Sequence, residues 1–250
     1  MQIIPLASSS KGNAYLVEHG GFVVLIDCGL SYRELNKRAK GALAQVGAVL
    51  ITHNHSDHVQ GLEVFLKHHD VPVYANVMTA EAVIGAMKIS EEAFVCFENG
   101  QEFAVGPFTV KAFSIPHDAS DPVGYLLKAK SDEGEEVYFH GTDIGTPLDS
   151  IGMQLKEATY ATLESNHDPI LLKASGRAPQ LIQRIAGPRG HLSNYQAAEL
   201  VKKFAAPGLR QLFLAHLSQD CNAPHLAEKE ISAALRERGL DRISLRVLAP

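Results

Sequence analysis

Cysteine is scarce in this 250-residue sequence, and long apolar runs are missing. The three cysteines, Cys28, Cys96 and Cys221, are odd in number, widely spaced and outside any CxxC pair. This pattern indicates neither a disulfide framework nor a cysteine zinc knuckle. No apolar run approaches the roughly 20 residues that span a bilayer, and the first residues lack the segments of a secretory signal. We therefore expect a soluble cytoplasmic protein without a membrane partner.

Net positive charge is also missing: the sequence has 23 Lys and Arg residues and 28 Asp and Glu residues, which gives a net charge of -5. The surface as a whole therefore does not indicate a nucleic-acid or anionic-membrane partner, and any basic patch must be local. One basic segment lies between Asp168 and Glu199, where acidic residues are absent. Its basic residues are Lys173, Arg177, Arg184 and Arg189. Such a segment suits a polyanionic substrate, and a solvated helix face is the alternative.

Short runs rich in Val, Ile and Phe alternate with segments of helical spacing, and the sequence is 46% hydrophobic, enough for a substantial core. We predict strands at 14–18, 22–27, 48–52, 71–75, 108–115, 123–127, 136–140, 161–165, 210–218 and 242–248. We predict helices near 32–40, 58–69, 78–88, 194–204 and 225–238. Strands interleaved with helices indicate an α/β fold of sheets covered by helices. Without a linker-like segment, we expect a single domain over residues 1–250.

Histidine is abundant, with twelve residues, and several fall in one short string. The predicted strand 48–52 runs directly into His53-Asn54-His55-Ser56-Asp57-His58, and a predicted helix begins near Val59. Sites in α/β proteins usually lie at the carboxyl ends of strands. Imidazoles and a carboxylate suit Zn²⁺ or a similar divalent ion, and four ligands within six residues can serve two adjacent ions. Single histidines are usually solvated or capping, but the pattern HxHxDH favours a metal site.

The pattern HxHxDH after an apolar strand resembles the metallo-β-lactamase superfamily, which implies a four-layer αββα sandwich. The segment LIDCGL, with Asp27 and Gly29, resembles the early strand and turn that support the metal loop. The resemblance extends to further ligands in SIPHD, YFHGTD and LFLAH, namely His117, Asp143 and His216. It implies that one ion is held by His53, His55 and His117, the other by Asp57, His58 and His216, and that Asp143 bridges them.

A bridged metal pair implies hydrolysis, because it lowers the pKa of a shared water and stabilises both the attacking and the leaving oxygen. We expect two divalent ions. Zn²⁺ is the preferred metal, and Mn²⁺ is the alternative. Asp57 is a candidate catalytic residue that orients or deprotonates the nucleophile as well as ligating.

A second histidine motif, GHLSN at 190–194, precedes the predicted helix 194–204. It resembles the phosphodiesterase branch of the superfamily, including tRNA 3′-processing enzymes. That resemblance makes His191 a candidate to protonate the leaving alkoxide or to hold the scissile phosphate. Ser193 lies near a helix N-terminus that favours anions and is a candidate substrate contact, with a simple helix cap as the alternative.

The sequence resembles the bacterial YycJ (WalJ) family nearly end to end. The matching segments are SSSKGNAYLVE, LIDCGL, THNHSDHVQG, SIPHDASDPVGY, ESNHD, GHLSN and AHLSQDCNAP. Members are described as DNA exonucleases that work from the 5′ end. The resemblance implies a 5′ to 3′ DNA exonuclease with DNA as its substrate.

Other polar residues in these motifs are further candidates. Glu164 is expected to form a catalytic proton relay with His191, and Asn166 and His167 a phosphate clamp. A structural hydrogen-bonding role is the alternative for Glu164, Asn166 and His167. Ser9 and Asn13, with Ser8 and Ser10, are expected to form a rim loop against the substrate backbone, or simply a turn.

Three functional hypotheses follow. The first is a two-metal hydrolase of phosphodiester bonds, in particular a 5′ to 3′ DNA exonuclease. The alternative is a small-molecule metallo-hydrolase acting on a cyclic phosphodiester, thioester or lactone, which the acidic net charge and the compact size allow. The third, a metal-stabilised binding module without turnover, predicts missing ligands, and the complete ligand set argues against it.

Overall fold

A computed structural model describes residues 1–248, whose strands we number β1 to β13 and whose α-helices we number α1 to α9. The strands are β1 (Gln2–Ser9), β2 (Gly12–His19), β3 (Phe22–Ile26), β4 (Val46–Leu50), β5 (Val73–Asn76), β6 (Phe94–Phe97), β7 (Glu102–Val105), β8 (Phe108–Ser114), β9 (Val123–Ser131), β10 (Gly134–Gly141), β11 (Tyr160–Glu164), β12 (Gln211–Ala215) and β13 (Ser244–Val247). The helices are α1 (Tyr32–Ala39), α2 (Ser56–Val59), α3 (Leu62–Leu66), α4 (Val77–Ala86), α5 (Asp149–Leu155), α6 (Pro169–Ala174), α7 (Pro179–Ala186), α8 (Asn194–Phe204) and α9 (Pro224–Glu237).

The strands belong to two sheets. One has the order β1-β2-β3-β4-β5-β6, and the other has the order β13-β12-β11-β10-β9-β8-β7. Each sheet contains antiparallel and parallel neighbours, and the parallel ones are joined through helices. Mixed sheets with helical crossovers confirm the predicted α/β class.

Two compact units are distinguished among these residues, and the first comprises Met1–Ser114, Ala119–Val123 and Leu127–Glu135. In this unit β1 to β3 are antiparallel and β3 to β6 are parallel. The parallel strands require crossovers, which α1, the pair α2 and α3, and α4 supply. The carboxyl ends of β3 and β4 therefore meet at one edge of the sheet, where Asp27 and the segment 52–58 follow.

The core of the first unit fixes that sheet edge in place. Leu16, Leu25 and Val49 of the sheet and Leu35 and Phe65 of the helices are fully buried. Burying one side chain of this size contributes roughly 1.5–3 kcal/mol. The backbone on which the histidine string stands is thus held by apolar packing.

The second unit comprises Ile115–Asp118, Gly124–Leu126 and, among the described residues, 136–248. Its strands β10 to β13 are parallel neighbours. Their carboxyl ends meet at one edge, and open parallel sheets place their sites at such an edge. Asp143 follows β10, Glu164 is the last residue of β11, and His216 follows β12.

Helix α8 begins and ends where the sequence predicts. Ser193 caps it: its Oγ accepts a hydrogen bond from the Gln196 amide at 3.2 Å, and Gln196 Oε1 accepts one from the Ser193 amide at 2.9 Å. Such a capping box satisfies two backbone donors that the first turn would otherwise leave bare. The cap fixes the residues just before it, among them His191.

Several elements differ from the predictions. The predicted helix 58–69 is broken into α2 and α3, because the Gly61 amide donates to the Cys28 carbonyl at 2.8 Å and not to a carbonyl of the same helix. Glycine allows this approach, since a Cβ at Gly61 would lie 1.8 Å from the Leu30 carbonyl oxygen. The strands β1, β6 and β7 and the helices α5, α6 and α7 were not predicted. β6 and β7 have four residues each, and α6 has six, too few to give a clear period.

None of the helices in residues 1–248 has both the length and the apolar character needed to cross a bilayer. The prediction of a single domain over residues 1–250 stays a prediction.

Candidate functional site

The histidine string of the first unit follows β4 and continues into α2. His53 and His58 are buried, and their ring centroids lie 4.0 Å apart. His55 caps α2 with extended backbone and is half-buried, and its ring centroid lies 4.7 Å from that of His53. Asp57 stands in the first turn of α2, and its side chain is 19% exposed. The loop after β4 and the first turn of α2 thus bring together the four predicted ligands of this unit.

Asp27 orients His58. It is fully buried and adopts a left-handed φ of 59°, which is uncommon for a residue other than glycine. Its Oδ2 lies 2.7 Å from His58 Nδ1, and its Oδ1 accepts the Thr52 amide at 2.9 Å. Because a carboxylate only accepts, His58 carries its proton on Nδ1, and Nε2 keeps a lone pair.

Thr52 orients His53 in the same way. The Thr52 hydroxyl lies 3.0 and 2.9 Å from the two Asp27 oxygens, so its single proton goes to Asp27. Thr52 Oγ1 can then only accept from His53 Nδ1, which lies 3.0 Å away. The His53 proton is therefore on Nδ1, and its Nε2 is the nitrogen suited to a metal.

Asn13 and Ser9 support this string from the hairpin of β1 and β2, where Ser9 ends β1 and Asn13 lies near the start of β2. Asn13 is fully buried, and its Nδ2 donates to the Ser9 carbonyl at 3.0 Å and lies 3.2 Å from Asp57 Oδ2 and 3.1 Å from His58 Nε2. Ser9 is also buried, and its Oγ accepts the Lys11 amide at 3.3 Å. These contacts turn the chain toward the string. Substrate binding by Ser9 and Asn13 stays a prediction.

Gly29 allows this packing, because a Cβ there would lie 1.7 Å from the Asp57 carbonyl oxygen and 2.6 Å from the Asn13 amide nitrogen. We therefore expect Gly29→Ala to displace the metal loop and to weaken Zn²⁺ binding at least tenfold. Equilibrium dialysis against Zn²⁺ and a thermal melt measure both effects. The matched control is Gly85→Ala in α4, where a Cβ would meet no heavy atom within 4 Å. It should leave Zn²⁺ binding unchanged and the melting temperature equal or higher. Wild-type Zn²⁺ affinity in Gly29→Ala would contradict this role.

The second unit places His117, Asp143 and His216, all buried, near one another. His117 Nε2 lies 3.8 Å and His216 Nδ1 3.4 Å from Asp143 Oδ1. Asp143 and His216 adopt left-handed φ values of 58° and 55°. Such backbone conformations cost about 1–3 kcal/mol each and cluster at functional sites.

Glu164 is the buried centre of this group. Its Oε1 accepts from His191 Nδ1 and from His216 Nδ1, both at 2.9 Å. Its Oε2 accepts the amides of Ile144 at 2.8 Å and Leu192 at 2.9 Å. Burial disfavours the charged form, but the two histidines overcome it and lower the pKa of Glu164 to about 2. Glu164 is therefore an ionised positioning residue whose acceptor atoms are all engaged.

Asp143, Glu164, His191 and His216 all offer ligand atoms within 4.8 Å of one another. The two imidazole nitrogens that contact Glu164 carry protons, and a protonated nitrogen does not ligate. The close approach of Glu164 is thus a carboxylate–histidine contact of the kind that commonly orients metal-binding histidines.

His117 is oriented by the backbone. Its Nδ1 donates to the Gly190 carbonyl at 3.0 Å, so its Nε2 also keeps a lone pair. Burial is the main cause that lowers the pKa of His117, which favours the neutral ring that metals bind. A Cβ at Gly190 would lie 2.2 Å from the carbonyl oxygens of Arg184 and Ile185, so only glycine allows this approach.

Four buried histidines thus share one arrangement, in which an oxygen holds Nδ1 and leaves Nε2 as the potential ligand atom. They are His53, His58, His117 and His216. Metal-bound histidines in proteins almost always show this outer contact. Imidazole nitrogens of this kind in each unit, and the buried Asp143 carboxylate in the second, are donors that suit divalent metal ions such as Zn²⁺.

His191 differs from these four because its side chain is 21% exposed. Its ring centroid lies 5.1 Å from those of both His117 and His216. Glu164 holds Nδ1, which leaves Nε2 to exchange a proton with a ligand. The structure therefore contains the hydrogen bond between Glu164 and His191 that a proton relay would use, and the catalytic relay itself stays a prediction.

The remaining candidates of the second unit have different surroundings. Asn166 Nδ2 donates to the His216 carbonyl at 2.7 Å, so this residue positions a predicted ligand. His167 is 3% exposed, and its Nδ1 has no hydrogen-bond partner among residues 1–248. The Ser193 hydroxyl is engaged in the helix cap. The cap alternative therefore describes Ser193, and substrate contacts by these three residues stay predictions.

Two of the four basic residues in the segment between Asp168 and Glu199 are paired with acids. Arg177 pairs with Asp220 at 2.8 Å, and Arg184 pairs with Asp118 at 2.5 Å. The latter contact raises the pKa of Arg184. A polyanion therefore meets less positive charge here than the composition predicts.

Two supporting residues escaped the sequence analysis. Thr52 stands directly before His53, and its polar side chain after an apolar strand is the signal that could have found it. Asn222 donates to the backbone carbonyls of Ser165 at 2.8 Å and Asn166 at 3.0 Å, which fixes the end of β11. It lies in the segment AHLSQDCNAP, but nothing in the local pattern marks it.

Comparison with known proteins gives matches over most of the chain. A model of the β-lactamase superfamily domain matches residues 23–217. The exodeoxyribonuclease YycJ of Bacillus anthracis is 34% identical over 241 residues, which cover 94% of this chain and 89% of that protein. The exodeoxyribonuclease WalJ of Streptococcus pneumoniae is 31% identical over 245 residues, which cover 94% of this chain and 88% of that protein.

The metallo-β-lactamase fold protein YhfI from Bacillus subtilis superposes with a TM-score of 0.72 at 17% identity, covering 98% of this chain and 95% of that structure. The likeness confirms the predicted metallo-β-lactamase fold. With buried, oriented histidines and long matches to two relatives, the chain belongs to the β-lactamase superfamily and, within it, to the family of the YycJ and WalJ proteins.

Proposed function

We propose that this chain is a metal-dependent nuclease that hydrolyses DNA from its 5′ end. The observation that carries the proposal is Glu164, a buried carboxylate that holds both a predicted metal ligand, His216, and the partly exposed His191. A metal site beside a positioned acid is suited to phosphodiester hydrolysis. The names of the YycJ and WalJ relatives, both exodeoxyribonucleases, support DNA as the substrate.

The proposed cofactors are two divalent ions, with Zn²⁺ as the preferred metal and Mn²⁺ as the alternative. We assign one to His53, His55 and His117, the other to Asp57, His58 and His216, and the bridge to Asp143. The assignment rests on the ligand order of the superfamily and on the Nδ1 contacts of four of these histidines. The ions would supply Lewis acidity at the phosphate and activate water for attack.

His191 is the proposed general acid. Water attacks the phosphorus, the bond from phosphorus to the 3′ oxygen of the leaving nucleotide breaks, and protonated His191 gives the Nε2 proton to that oxygen. Glu164 stabilises the imidazolium through Nδ1, as a carboxylate does beside other catalytic histidines. Asp57 is proposed to orient the attacking water or to take its proton.

We retain His167 as a proposed phosphate contact, since its Nδ1 is buried without a partner within residues 1–248. Buried polar atoms normally find a hydrogen-bond partner, and a bound phosphate would provide one. For Asn166, Ser193, Ser9 and Asn13, any substrate contact would come in addition to the structural hydrogen bonds described above. Three thiols without a disulfide support a cytoplasmic location.

The test is digestion of 5′-labelled and 3′-labelled DNA, single- and double-stranded, by protein reconstituted with Zn²⁺ or Mn²⁺. We expect mononucleotides to be released first from the 5′ label, with a rate that falls steeply with salt. Release from the 3′ label first would contradict the polarity. Intact DNA together with hydrolysis of a cyclic phosphodiester, thioester or lactone would contradict the nuclease and favour the small-molecule alternative.

A further inference from the structure

Arg189 is an exposed arginine that stands two residues before His191. Its Nε donates to the His117 carbonyl oxygen at 2.9 Å. Arg189 therefore contacts a predicted metal ligand and precedes the proposed acid in the chain, although neither the motifs nor the proposed mechanism includes it.

The backbone around Arg189 is fixed on both sides. The Pro188 carbonyl accepts the Thr146 hydroxyl at 2.8 Å, and the Gly190 carbonyl accepts His117 Nδ1 at 3.0 Å. A Cβ at Gly145 would lie 2.5 Å from Arg189 Cα, so the chain segments are in close contact here. The guanidinium is thus carried on a rigid support, which lowers the entropy lost when it binds a ligand.

Arg189 differs from the other two arginines of the basic segment because, in the part of the chain that the structure describes, its charge is not paired with a carboxylate. Arg177 and Arg184 are paired with Asp220 and Asp118. Within residues 1–248, Arg189 has no carboxylate in ion-pair range, and its Nε contacts only a neutral carbonyl. A neutral donor would hold that carbonyl equally well, so the structure around Arg189 does not account for its positive charge.

We infer that Arg189 binds a phosphate group of the DNA strand. The inference rests on the proposed function. A guanidinium has five N–H donors in a planar fork that matches phosphate oxygens, and one of the five is engaged here. The phosphate is either the terminal 5′-phosphate or an internal phosphodiester, and both present the same oxygens.

Arg189→Gln separates this role from support of His117. The glutamine Nε2 is as many bonds from Cα as the arginine Nε, so the variant keeps a donor for the His117 carbonyl and loses the charge. Arg177→Gln is the matched control, because Arg177 lies in the same segment and its charge is paired with Asp220. Zn²⁺ content of each variant, measured after reconstitution, reports whether the His117 region is intact.

The experiment measures binding of fluorescein-labelled single-stranded oligodeoxynucleotides to the Zn²⁺-loaded protein by anisotropy over a range of salt, with phosphorothioate linkages that resist turnover. We expect Arg189→Gln to bind about tenfold more weakly, with a salt slope shallower by about 0.7, and Arg177→Gln to bind as the wild type does. Oligonucleotides with a 5′-phosphate or a 5′-hydroxyl identify the group: a loss seen only with the 5′-phosphate assigns the terminal phosphate, and an equal loss assigns an internal one.

Binding by Arg189→Gln equal to the wild type would overturn the inference, as would loss of Zn²⁺ from the variant, since Arg189 would then only support His117. Digestion of DNA by the wild type is measured in parallel. A wild type that digests DNA beside an unaffected variant refutes the inference alone. A wild type that neither binds nor digests DNA refutes the proposed function and the inference with it.

Discussion

Glu164→Gln is expected to lower the rate of DNA hydrolysis by about 1,000-fold, because one carboxylate positions both a proposed ligand and the proposed acid. Four N–H donors point at the two oxygens of Glu164, from His191, His216 and two backbone amides. The amide NH₂ of glutamine would face two of these donors without accepting from them. We also expect a loss of roughly 3–5 kcal/mol of unfolding free energy, as for other broken buried charge pairs.

Steady-state DNA digestion, Zn²⁺ content and urea denaturation measure these effects together. Glu199→Gln makes the same chemical change at an exposed position of α8 and should leave all three unchanged. If Glu164→Gln kept wild-type activity and stability, the positioning role of the carboxylate would be refuted.

His191→Ala is expected to lower kcat by about 100- to 10,000-fold, the range that a general acid contributes. Its Zn²⁺ content should stay at the wild-type level, because His191 is partly exposed and is not among the proposed ligands. The lost step is protonation of the 3′ oxygen, which is a poor leaving group without a proton. KM for DNA should change much less than kcat.

The leaving group provides the decisive comparison for His191. The p-nitrophenyl ester of thymidine 5′-monophosphate releases p-nitrophenolate, which leaves without a proton. We expect His191→Ala to hydrolyse this ester at close to the wild-type rate while it fails on DNA. An equal loss on both substrates would show that His191 binds phosphate or positions the site and does not act as the acid.

The location of the ligands along the fold could be predicted from sequence, because an apolar strand gives a clear signal and ligands follow the strand ends. His53, Asp143 and His216 all stand just after strands that the sequence indicates. The histidine string adds a pattern that few other functions require. For these residues, the strand pattern and the ligand chemistry of the side chains predict the same positions.

The contacts that orient the ligands could not be predicted. The Thr52 hydroxyl donates to Asp27 and accepts from His53. Glu164 accepts hydrogen bonds from His191 and His216, which are 25 residues apart in the sequence. Such contacts depend on the register of neighbouring strands and on which ring nitrogen faces an acceptor. One sequence without a fold carries no direct signal of either.

The charge of the segment between Asp168 and Glu199 illustrates the same limit. Composition counts four basic residues there, but Arg177 and Arg184 are paired with acids that lie more than 40 positions away in the chain. Only the folded chain shows that Arg189 keeps its charge without a carboxylate in ion-pair range among residues 1–248. Counting charges along the sequence overstates the field that a DNA strand would meet.

The most direct test of the central claim is the metal dependence of DNA degradation. Chelator-treated protein is titrated with Zn²⁺ while bound metal and nucleotide release are followed, beside an Asp57→Ala His58→Ala variant. The account predicts no release without metal, full activity at two ions per chain, and no activity in the variant at any Zn²⁺ concentration. Equal degradation in the presence of chelator, or by the double variant, would contradict it.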